Sequence, residues 1–150
     1  MLGLSAVVNA AGYGVIDLEK VVESSQYLKQ QNASLEASIK PQASKLEQLN
    51  KELAALQKQS QTQGTNLKQI ETQYQAKMTE FTTLQQSVQS RVQTTIQNTN
   101  KTFEARVKQA AEQLRQENSL DLVLNKNAAL AFDSKYDLTD KMIQKVNAIK

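Results

Sequence analysis

The chain has 150 residues, about one domain, and carries 18 Lys+Arg against 15 Asp+Glu for a net charge of +3. It has no Cys, His or Trp, one Pro and four Gly. That excludes a thiol nucleophile, a His general base, a disulfide and a Cys–His zinc site, and the low Gly/Pro content favours long helices over a compact all-β domain.

Residues 1–11, MLGLSAVVNAA, are uncharged and mostly apolar or small. Val8-Asn9-Ala10 before Ala11 fits a signal-peptidase site, so the segment reads as the tail end of a cleaved signal peptide. The alternative is an ordinary apolar strand. Gly12-Tyr13-Gly14 lacks the third glycine of a dinucleotide loop, and a strand follows it. That β-rich run is Gly14-Val15-Ile16-Asp17-Leu18; Glu19 to about Gln31 then reads as a helix with Val21, Val22 and Leu28 inward. Pro41 either begins the next helix or kinks a longer one, and marks either an arm hinge or a static bend.

A heptad frame runs through Leu46, Leu49, Leu53 and Leu56, with Leu35 and Ile39 before it. Ser60 and Gln63 make the core positions polar, and the frame resumes at Leu67, Ile70, Tyr74, Phe81, Leu84 and Val88. Beyond Val88 the apolar spacing predicts 92, 96, 103, 107, 110 and 114, with a four-residue stutter. Gly64 lies where helix propensity is poor, which predicts a hairpin tip followed by a cap at Thr65 or Asn66. One straight helix would instead make a rod of about 130 Å. The 21 glutamines concentrate in this region, and residues 81–100 hold one charge, Arg91. Such a face is either merely polar or a surface for many weak contacts.

Toward the C-terminus, Leu120-Asp121-Leu122-Val123-Leu124 reads as an apolar strand, Asn125-Lys126-Asn127 as a turn and Ala129-Leu130-Ala131-Phe132 as another strand. Asp137, with Asp140 three residues on, predicts an N-cap for a last helix carrying Met142, Ile143, Val146 and Ile149 inward. The fold class is thus mainly α with a small β body. The body comprises 12–40 and 115–150, and a helical-hairpin arm spans 41–114. Three short strands leave sheet edges open, so stability implies association through residues 13–18 and 120–133. Val15, Ile16, Leu122, Val123, Leu124, Leu130 and Phe132 would form that shared core. No catalytic motif, calcium-loop spacing or phosphate-binding loop occurs, so neither an enzyme nor a bound cofactor or metal is expected. Nucleic-acid binding would need clustered cations and stacking aromatics, and neither cluster is present.

The order strand, helix, glycine-tipped hairpin, then Leu120–Ser134 and Asp137-Leu138-Thr139-Asp140, resembles the Skp (OmpH-like) periplasmic chaperones. Leu35-Glu36 through Ala43-Ser44-Lys45-Leu46 also resembles the start of that family's arm. The resemblance spans Gly12 to Lys150. It implies a jellyfish-like homotrimer whose arms enclose unfolded outer-membrane β-barrel proteins, without ATP or cofactor, in the periplasm. It also raises contact with lipopolysaccharide or a membrane surface. Residues 33–118 hold only 11 basic and 8 acidic side chains, so no such site is carried over. The rival is a coiled-coil spacer of the cell envelope with no client.

Overall fold

A computed structural model describes residues 12–62 and 66–150. The expected signal remnant at 1–11 and the tip at Gly64, with neighbouring Gln63, lie outside the described residues. The elements in order are β1 (Tyr13–Ile16), α1 (Leu18–Ser24), α2 (Gln26–Ser60), α3 (Leu67–Glu117), β2 (Leu122–Asn125) and α4 (Thr139–Ala148). Short 3-10 turns occupy Lys126–Ala128 and Ser134–Tyr136. The chain is mostly helical, as its composition predicts. Its described residues divide into two compact units, one of residues 12–29 and 101–150, the other of residues 30–62 and 66–100.

The first unit is built on a parallel pair. Tyr13 stands opposite Leu122 and Ile16 opposite Asn125. Parallel partners need a long crossover, and here it is the whole of α1, α2 and α3. Ile16, Val21, Phe103, Ala110, Leu114, Met142 and Val146 form the core beneath this pair. Gly14 is closely surrounded by the side chains of Leu138, Leu120 and Val123. A Cβ there would stand 2.7 Å from Leu138 Cδ1 and 3.0 Å from Leu120 Cδ1.

The third expected strand is corrected. Residues 129–132 form no strand: the other side of β1 is taken by the approach to α4, where Leu138 N donates to Val15 O at 2.8 Å and Val15 bridges to Asp137, and among the described residues the outer edge of β2 is left without a partner. The expected turn at 125–127 is a 3-10 turn starting one residue later. The capping box expected at α4 is also modified. Asp137 Oδ1 accepts from Thr139 N at 2.9 Å, but Leu138 occupies the cap position. Hydrogen bonds from Thr139 hold the Asp137 carboxyl below its usual range.

The single helix expected over 19–31 is broken at Ser25, which leaves the helical region at ψ 113° and is buried. Its hydroxyl accepts from Leu28 N at 3.2 Å, an N-terminal cap for α2. Asn147 of α4 completes the joint: its Oδ1 accepts from Gln26 N at 2.9 Å and its Nδ2 donates to Ser24 O at 3.2 Å. One amide therefore satisfies an orphan donor of α2 and an orphan acceptor of α1. Asn147→Ala is expected to cost about 1–2 kcal/mol in urea-unfolding stability, because both groups lose their partner at once. Wild-type stability in that variant would remove the joint as a structural element.

The end of α3 is closed in the same economical way. Leu120 N donates to Arg115 O at 2.8 Å and Ser119 N to Gln116 O at 3.2 Å, the paired bonds of a Schellman turn. Ser119 holds the left-handed position, φ 50°, that glycine usually fills. Arg115 also binds Glu112 through two nitrogens and reaches Leu120 O. That guanidinium, helped by Gln116, brings the Glu112 carboxyl down to about 2.

Candidate functional site

In the unit of residues 30–100, the heptad leucines fold inward as the 3–4 spacing requires. Leu49, Leu53 and Ile70 are buried. Leu46, Leu56, Tyr74, Phe81, Leu84 and Val88 are half-buried, while Leu67 is 58% exposed. Two ion pairs join α2 to α3: Lys45 Nζ to Glu80 at 3.3 Å, and Lys77 Nζ to Glu52 at 2.6 Å. As the number rises on α2, its partner's falls on α3. Near Ser60 a groove of about 460 Å³ opens between Leu56, Leu67, Ile70 and Tyr74. The hydrogen bond from Lys77, with Gln48 second, lowers the Glu52 carboxyl below its usual range. Such partly exposed pairs fix register more than they add stability.

The stutter expectation is corrected at one position. Ile96 stands 46% exposed, and the inward positions are Thr95, half-buried, and Thr99, buried. The apolar spacing pointed to 96; helical geometry instead continues Val88, Val92, Thr95, Thr99, Phe103 and accepts hydroxyls in the seam. A threonine can turn its hydroxyl to a backbone carbonyl of the preceding turn, which makes it tolerable at such a position. Pro41 lies inside α2, so it does not begin that helix, and its side is exposed.

The outer surface of α3 over residues 81–100 is made almost wholly of amides and hydroxyls. Thr82, Gln86, Gln89, Gln93, Gln97 and Asn100 are all exposed and follow one another at steps of three and four, a single row along the helix. That row covers about 27 Å at 1.5 Å per residue. Arg91, the one charge in the stretch, lies on the opposite flank. Sequence reasoning found the low charge but not the row; reading the glutamines at helical spacing would have found it.

In the other unit, the residues expected in a shared core divide. Val15 and Ile16 are buried by the chain's own elements. Leu122, Val123 and Phe132 are half-buried, Leu124 is exposed, and Leu130 is fully exposed. Among the described residues, β2 pairs with β1 alone and its other edge has no strand beside it. Arg106 packs over the Tyr27 ring at 4.1 Å and donates to Ile149 O at 2.6 Å, which anchors the end of the chain to α3. Asp17 caps α1 through Lys20 N at 3.2 Å and meets Lys126 Nζ at 3.4 Å; the Lys20 bond leads in lowering its carboxyl.

Among the described residues, no group of His, Cys, Asp and Glu could hold a metal ion, and no helix is long and apolar enough to cross a membrane. The arrangement offers two surfaces for association: an open strand edge with exposed leucines, and a long, weakly charged helical face. The family model described as "Outer membrane protein (OmpH-like)" matches residues 12–146. A crystal structure from Caulobacter crescentus, described as a candidate outer membrane chaperone (OmpH-like), superposes with a TM-score of 0.67 at 21% identity. The match covers 93% of this chain and 85% of that one. No curated protein matches the sequence.

Proposed function

Because this chain belongs to the OmpH-like family of outer membrane proteins, we propose that it is an ATP-independent periplasmic holdase for unfolded outer-membrane β-barrel proteins. The observation that carries this reading is the family match over nearly the whole chain. In this reading α2 and α3 form an antiparallel arm over 41–114, tipped at Gly64, and residues 12–40 with 115–150 form the body. The cross-helix pairs of Lys45 with Glu80 and Lys77 with Glu52 support the arm. Three copies join through the open edge of β2 and the apolar side chains of 122–132, and their arms enclose a client. Residues 1–11 are removed on export. An unfolded barrel protein exposes strands that aggregate edge to edge, and enclosure keeps clients apart. Holding requires no catalytic group, cofactor or metal.

The rival reading, an envelope spacer without clients, makes the opposite prediction in one experiment. Denatured outer-membrane protein is diluted from urea with and without the chaperone, and light scattering is followed. Suppression is expected at about one trimer per client; undiminished scattering at several-fold excess would favour the spacer. Sedimentation of the same samples should give a trimer for the wild type and a smaller species for the Leu124→Asp, Leu130→Asp variant. A wild-type monomer would remove the assembly.

A further inference from the structure

We infer that the amide row on α3 is the surface that holds the client, and that it does so by hydrogen-bonding peptide groups rather than by charge. The inference rests on the holdase reading and specifies how that holding occurs. Each glutamine or asparagine of the row presents an NH2 and a carbonyl, the same complement of donor and acceptor that a peptide group presents. Gln86, Gln89, Gln93 and Gln97 stand exposed on one side of α3, with Thr82 and Asn100 at the ends. Same-face residues of a helix recur about every 5.4 Å, and same-face residues of an extended chain about every 6.8 Å. The flexible glutamine side chain spans that difference. An extended client lying along α3 can therefore meet successive amides whatever its sequence.

Charge points to the same partner. Three of the arm cations are engaged within the chain: Lys45 with Glu80, Lys77 with Glu52 and Lys51 with Glu47. Arg91 lies on the opposite flank of the helix from the row. A face without charge cannot select an acidic or a basic partner; what it complements is the neutral peptide group, which an unfolded chain exposes along its length and a folded protein does not. Ile96, exposed beside the row, adds an apolar contact without sequence demand. Each bond is weak because water competes for it, so holding comes from many bonds on several arms and is readily released.

The test measures the affinity of the full-length protein for a fluorescently labelled, urea-denatured outer-membrane β-barrel protein at 50 and 500 mM NaCl. The variant Gln86→Ala, Gln89→Ala, Gln93→Ala, Gln97→Ala should bind at least tenfold more weakly. Alanine is the better helix former, so its circular dichroism should stay that of the wild type. Arg91→Ala should bind within twofold of the wild type. Wild-type affinity should change less than about threefold between the two salt concentrations, since screening weakens only charge-borne contacts. Tight binding by the four-alanine variant, or a tenfold loss with salt in the wild type, would overturn the inference while leaving the holdase intact. A changed sedimentation coefficient in that variant would overturn it too, by assigning the row to contacts between copies. Absence of client binding by the wild type at either salt concentration would remove the holdase reading and this inference together.

Discussion

Leu114→Ala is expected to lower the stability of the unit formed by residues 12–29 and 101–150 by about 3 kcal/mol, within the usual 2–5 for a buried leucine. The side chain is 0% exposed and belongs to the cluster of Ile16, Val21, Phe103, Met142 and Val146. Truncation removes three carbons from a site where β1, α1, α3 and α4 all contribute walls, so no single element can move in to fill the void. Hydrogen exchange gives the local readout. The Val15 amide and the amides of β2 should exchange about a hundredfold faster. Unchanged protection there would mean that this cluster does not hold the sheet.

The second large effect belongs to the other unit. Leu49→Ala is expected to cost about 3 kcal/mol locally, because Leu49 is 0% exposed in the seam of α2. Leu67→Ala, at a position 58% exposed, should change stability by less than about 0.5 kcal/mol. Amides of α2 around residues 45–56 should lose protection in the first variant and keep it in the second, while those of β2 stay unchanged in both. Equal effects of the two substitutions would mean that the heptad seam is not what holds this unit together.

Leu49 and Leu114 differ in how legible they are in the sequence. Leu49 follows from spacing alone, because a 3–4 repeat of leucines over many turns has few structural solutions. Leu114 was visible only as the last member of an apolar series. The break at Ser25 does not show in the sequence because residues 19–31 keep helical periodicity across it; the partner that stabilises the break, Asn147, is distant in sequence. The strand expected at 129–132 failed for a related reason. Its apolar pattern is real, but pattern alone does not pair a strand: Asp137 and Leu138 meet β1 on its free side, and Leu130 stands fully exposed. Ile96 was placed inward by hydrophobicity, whereas the geometry of α3 puts Thr95 and Thr99 there. For the candidate surface, composition supplies the low charge, and the helical spacing of Gln86, Gln89, Gln93 and Gln97, exposed together on α3, supplies the row.

The parallel pairing of β1 with β2 joins segments more than a hundred residues apart in sequence. Gly12 N donates to the carboxylate of Asp121, 109 positions away, at 2.9 Å. Closing a loop of that size from a disordered chain costs entropy that grows with the logarithm of its length, about 0.6 kcal/mol more for each doubling. The intervening residues are largely helical, with local hydrogen bonds that can form before the ends meet. Each strand of the sheet is four residues long and has little to offer against that entropy by itself. Its persistence therefore rests on Val21, Leu114, Met142 and Val146, which pack beneath it from helices far apart in sequence.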